Sequence, residues 1–93
     1  MVENSALKIN PADNVVVAIR NIKEGEPIVV NGQTLFKAAQ NVEIGHKIAL
    51  GPIKTGYPVI RYGEAITRAT CDIRQGEWIH LHNTQSALMD MAH

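Results

Sequence analysis

Ile73-Arg74-Gln75-Gly76-Glu77-Trp78-Ile79-His80-Leu81-His82-Asn83 joins two kinds of information. Its first half, an apolar residue three before a glycine and another three after, recurs along the chain. The other copies are Ile22-Lys23-Glu24-Gly25-Glu26-Pro27-Ile28, Val42-Glu43-Ile44-Gly45-His46-Lys47-Ile48 and Ile53-Lys54-Thr55-Gly56-Tyr57-Pro58-Val59. Such a unit predicts a tight turn that needs glycine's access to positive φ, pinned on both sides by apolar anchors. The glycines at 25, 45, 56 and 76 are separated by 20, 11 and 20 residues, so a shift of 31 lays the chain on itself. The second half, His-Leu-His-Asn, occurs once.

Between the turns the chain reads as strands. Val15-Val16-Val17-Ala18-Ile19 is short and β-branched, the pattern of a largely buried strand. Asn31-Gly32 between apolar runs is a strong hairpin signal, because a type I′ turn requires positive φ at both central residues. Residues 36–41 leave room for one helical turn. A repeat of two such units predicts a pseudo-two-fold, intertwined and mainly β domain of six to eight short strands with little helix. Residues 1–12 read as a polar lead-in, 13–84 as the domain and 85–93 as a tail or linker. Within that tail, Ala87-Leu88-Met89-Asp90-Met91 reads as a short helix or a frayed end.

At 93 residues the chain is one domain with a small core, too small to enclose a full active-site cavity. Nine basic and nine acidic side chains cancel, so no strong field favours nucleic acid or an anionic membrane. No apolar run approaches a spanning helix. Met-Val-Glu-Asn-Ser lacks the basic and apolar regions of a signal peptide, which predicts a cytoplasmic location. The single cysteine, Cys71, excludes an internal disulfide and reads as a half-buried strand thiol.

The repeat lets one copy serve as a control for the other. His46 overlays Glu77, His80 overlays Ala49, His82 overlays Gly51 and Asn83 overlays Pro52. Neither copy therefore needs these groups to make its turn. Two apart on a strand, His80 and His82 would share a face at about 6.6 Å along the backbone. They could there hold a metal or an anion, since imidazole is a common metal ligand that titrates near neutrality. The plainer reading is a pair of solvated histidines. Lys47, beside His46, could bind a carboxylate; otherwise it is a solvated strand lysine. Tyr62-Gly63 reads as a strand end before it reads as a ligand contact. Trp78 and Tyr57 follow equivalent glycines and read as core lids.

Three blocks are familiar in order and spacing. Gly45-His46-Lys47-Ile48-Ala49-Leu50 comes first, then Ile60-Arg61-Tyr62-Gly63-Glu64-Ala65-Ile66. Ile73-Arg74-Gln75-Gly76 follows with His80-Leu81-His82-Asn83-Thr84. From about Asp13 to Thr84 the chain resembles the N-terminal SAF domain of the altronate/galactarate dehydratase family. The resemblance implies a β-clip fold and an accessory role, as N-terminal domain or small subunit, beside a large catalytic part. That part removes water from a sugar acid with a divalent metal, iron or manganese. On this reading His46 and His82 serve catalysis, Lys47, Tyr62 and Asn83 touch the substrate, and His80 with His82 contributes to the metal. A similar sister group pairs a small subunit with a sulfolactate sulfo-lyase. SAF domains that only bind ligands or form homo-oligomers are the alternative of a different class.

Overall fold

The computed structural model describes residues 3–86. Each of the four glycine turns closes with a backbone bond: Glu26 N–H to Lys23 O, His46 N–H to Glu43 O, Tyr57 N–H to Lys54 O and Glu77 N–H to Arg74 O. The glycine is the third residue of each, with φ between 85° and 87°. A closed four-residue turn with positive φ only at that position is type II, which explains the glycine.

The turns do not stand alone; they lock in pairs. Ile22 and Val42 exchange both backbone bonds at 2.8 Å, and Ile53 and Ile73 do the same. Polar side chains just before these residues finish each lock. Asn21 accepts from Ile44 N–H, Asn41 from Glu24 N–H and Asp72 from both the N–H and the hydroxyl of Thr55. The Thr55 bonds, backbone first, hold the Asp72 carboxyl below the usual aspartate range. Pro52 stands where the symmetry calls for a fourth such side chain, and Gln75 instead donates to Leu50 O.

Nine short strands run through the described residues, and none of those residues is helical. They are β1 (Ala6–Leu7), β2 (Val15–Ala18), β3 (Pro27–Val30), β4 (Gln33–Lys37), β5 (Lys47–Ala49), β6 (Pro58–Arg61), β7 (Glu64–Ala69), β8 (Trp78–Ile79) and β9 (Thr84–Ser86). A four-stranded antiparallel sheet, β1-β2-β5-β8, divides the domain. Ala6, Val16, Ala18 and Ile48 point to one face and pack with Ile22, Ile28, Val30, Ala38 and Val42 of the β3–β4 side. Val15, Ala49 and Ile79 point to the other and pack with Ile53, Val59, Ala69 and Ile73 of the β6–β7 side. Each hairpin closes on a type I′ pair, Asn31-Gly32 (φ 51° and 76°) and Tyr62-Gly63 (φ 56° and 75°). Each carries a register shift at the equivalent point, Ile28/Val29 and Val59/Ile60. This is a small β-clip body with an internal two-fold repeat.

Several expectations are corrected. Residues 36–41 make no helical turn: β4 runs to Lys37, and the Ala38 and Ala39 amides are taken by Glu26 O and Gly76 O. The lead-in carries β1, and buried Ser5 bonds Pro27 O and Val29 N–H. Cys71 is exposed, because β7 ends at Ala69. The short helix or frayed end read at 87–91 lies outside the described residues.

Gly76 and Gly25 share one backbone conformation but not one environment. A Cβ at Gly25 meets nothing within 4 Å, whereas at Gly76 it falls 2.8 Å from Lys37 O and 3.1 Å from Ala39 N. Gly25→Ala is expected to cost about 1–2 kcal/mol from backbone strain alone. Gly76→Ala should cost at least about 1 kcal/mol more through forced displacement. Urea unfolding of both variants checks the difference; equal midpoints would contradict the close packing at Gly76.

Candidate functional site

The 31-residue shift breaks at one end of the central sheet. His46, just before β5, Trp78 on β8 and His80, just after it, alternate onto the same face as Ile48. Their rings are nearly parallel, with centroids 5.4 Å (His46–Trp78), 5.4 Å (His46–His80) and 5.1 Å (Trp78–His80) apart. A linear column would put its outer rings about twice the stacking distance apart, so these three form a triangle. His82 closes on the indole at 5.0 Å, tilted by 40°. His46, Trp78 and His80, with Asn41 and Glu43, line a cavity of about 250 Å³. His46 Nδ1 and Trp78 Nε1 are buried without a hydrogen-bond partner among the described residues. Unpaired buried polar atoms are rare and need a reason, and a ligand or partner at the cavity would supply one. Ile44 and Leu81, next in sequence to the lining residues Glu43 and His80, are 60% and 82% exposed.

Local bonding explains why the His-Leu-His-Asn segment holds its form. It is a turn, not a strand: β8 stops at Ile79, so His80 and His82 do not sit two apart on one extended face. Both still reach Trp78, one by stacking and one by folding back. Buried Asn83 is the brace. Its Oδ1 accepts from His80 N–H at 3.0 Å and its Nδ2 donates to Trp78 O at 2.9 Å, so its amide is spent on shaping the turn. Thr84 Oγ1 donates to His80 O at 2.7 Å.

The remaining expected residues lie elsewhere. Lys47 points to the opposite face of the sheet from His46, in register with Val17 and Ile79. Burial, with the Arg61 charge second, lowers its pKa from the ordinary lysine value. Tyr62 is exposed at the tip of its hairpin, with the Arg61 guanidinium 5.1 Å from its ring centroid. Of the two expected core lids, Tyr57 is none, being 62% exposed, and Trp78 is both lid and site: it packs on the core and carries three imidazoles. Its position two before His80 was the available signal.

A family described as the altronate/galactarate dehydratase SAF domain matches residues 4–87. The chain belongs to that family. Two altronate dehydratases are similar over nearly the whole of this SAF domain. The one from Bacillus subtilis (strain 168) is 40% identical over 87 residues, 94% of the chain. The one from Escherichia coli (strain K12) is 42% identical over 85 residues, 91% of the chain. The SAF domain spans only 17% of the length of either. No helix among the described residues is long and apolar enough to cross a membrane.

A divalent metal of the kind the resemblance implies needs several donors aimed at one point. Among the described residues no three His, Cys, Asp or Glu side chains gather in that way. Asn83 is committed and the imidazoles are packed on an indole. The donors among the described residues do not fit a metal held by them alone.

Trp78 is the sole tryptophan, so its emission reports on the cluster directly. Removing a stacked ring uncovers the indole, so His80→Ala and His46→Ala should each shift the emission and make it more accessible to iodide quenching. Emission and iodide quenching identical in both variants and the parent would contradict the stacking.

Proposed function

We propose that this SAF domain is the accessory part of a sugar-acid dehydratase of the altronate/galactarate type. It would act as an N-terminal domain or small subunit in the cytoplasm, presenting its imidazole–indole end to a larger catalytic body. The observation that carries this reading is the cavity lined by His46, Trp78 and His80, with two unpaired buried nitrogens and an exposed apolar rim. A larger body closing over Ile44 and Leu81 would dry the cavity and complete it. Kinship with altronate dehydratases of which the matched region is only 17% supports the existence of such a body.

The reaction is a β-elimination from a 2,3-dihydroxy acid. A base removes the proton α to the carboxylate, and an acid protonates the departing hydroxyl. Imidazoles suit both tasks near neutral pH. His46, half-buried against Trp78, and His82, exposed at the turn, are the groups we assign to proton transfer; His80 lines the cavity together with His46. The divalent metal of the complete enzyme, iron or manganese, belongs to the larger body, and no step here passes through it.

The test uses an altronate dehydratase lacking the region homologous to this chain, supplied with the 93-residue chain in trans. Altronate turnover should be absent from the chain alone and restored by the mixture. It should fall by about 10²-fold with His46→Ala or His82→Ala. Full activity of the truncated body alone, or turnover by the isolated chain, would contradict the proposal.

A further inference from the structure

The two cores are related residue by residue. Shifting by 31 carries Ala18, Ile22, Ile28, Ala38, Val42 and Ile48 of the first onto Ala49, Ile53, Val59, Ala69, Ile73 and Ile79 of the second. Among the positions that break the rule, three lie in one place. Val16 and Val30, both buried, become Lys47 and Arg61; Phe36, packed on the same core, becomes Thr67. In the first copy these residues are an apolar cluster between the central sheet and its hairpin. In the second the same place holds two cations and a hydroxyl, all half-buried.

The described residues leave this polar group short of partners. Arg61 Nε and Thr67 Oγ1 are buried and have no hydrogen-bond partner among them, although the Arg61 guanidinium lies over the Tyr62 ring. Lys47 is flanked in register by Val17 and Ile79, both apolar. Glu64, the register partner of Arg61, is exposed, and no ion pair joins the two. Two like charges brought together under partial burial, in place of a valine pair, cost stability. The first copy shows that the scaffold needs neither. A bound anion would remove the cost.

We propose that Lys47 and Arg61, with Thr67 beside them, form a binding site for the carboxylate of a small organic acid, on the face of the central sheet opposite the imidazole cluster. Two cations and a hydroxyl on one small patch match a compact carboxylate, not an extended polyanion, in a chain with no net charge. The site stands independently of the imidazole cavity, so failure of one leaves the other intact.

The experiment is a ¹H–¹⁵N NMR titration of the 93-residue chain with sodium acetate, against sodium chloride at matched ionic strength. Acetate should give saturable shifts centred on Lys47, Arg61 and Thr67 that chloride does not reproduce. The double variant Lys47→Val/Arg61→Val restores the residues of the first copy. It should unfold at a higher midpoint and need at least tenfold more acetate for the same response. Lys47→Gln, which leaves the packing and Arg61 in place, should lose most of the response even if the double variant fails to fold. Identical responses to acetate and chloride, or saturable shifts that persist unchanged in Lys47→Gln, would overturn the site. The first result would leave an acidic side chain of a larger body as the occupant.

Discussion

Two backbone exchanges, Ile22 with Val42 and Ile53 with Ile73, hold this domain together. Each joins a pair of type II turns distant in sequence but adjacent in space. All four side chains are no more than 3% exposed, so each contributes about 1.5–3 kcal/mol of apolar burial. The exchanged bonds lie inside that apolar surface, where an unpaired amide would be costly. Turn geometry, side-chain burial and backbone pairing thus specify the same arrangement twice. With strands of two to six residues, no single ladder could do so alone.

The central sheet follows from these locks and decides where chemistry can be placed. Its strands bury side chains on both faces because each half of the repeat supplies a cover for one face. Replacements that break the repeat are therefore sorted by strand alternation. His46, Trp78 and His80 fall on one side, Lys47 on the other. The four buried polar atoms without partners among the described residues divide the same way, two beside the imidazoles and two beside the cations. Duplication made a scaffold with two equivalent faces, and each copy was then free to lose apolar residues where a ligand or partner could compensate.

Much of the scaffold was legible in the chain. Apolar spacing around the four glycines announced the turns, and the 31-residue overlay announced the two-fold, because both depend on short-range geometry. The pairing of turn with turn was not legible: Asn21, Asn41 and Asp72 accept from residues 17 to 23 positions away, and nothing local marks them. The strand assumed for His80 and His82 failed for a related reason. Asn83 folds the segment back on itself through two bonds to the backbone, a competition between side chain and ladder that periodicity does not register. The histidines still converge, but around the indole of Trp78. The separation of Lys47 from His46, its neighbour in sequence, is what alternation on a strand requires once the strand is known.

Native-state hydrogen exchange tests the paired-turn account most directly. The amides of Ile22, Val42, Ile53 and Ile73, with those of Gly45 and Gly76, should exchange only through global unfolding. All six should show one common free energy, equal to that measured by denaturant. Fast exchange at either bridge, while the strand amides of Val16 and Ile48 stay protected, would show that the sheet stands without the locked turns and would contradict the account.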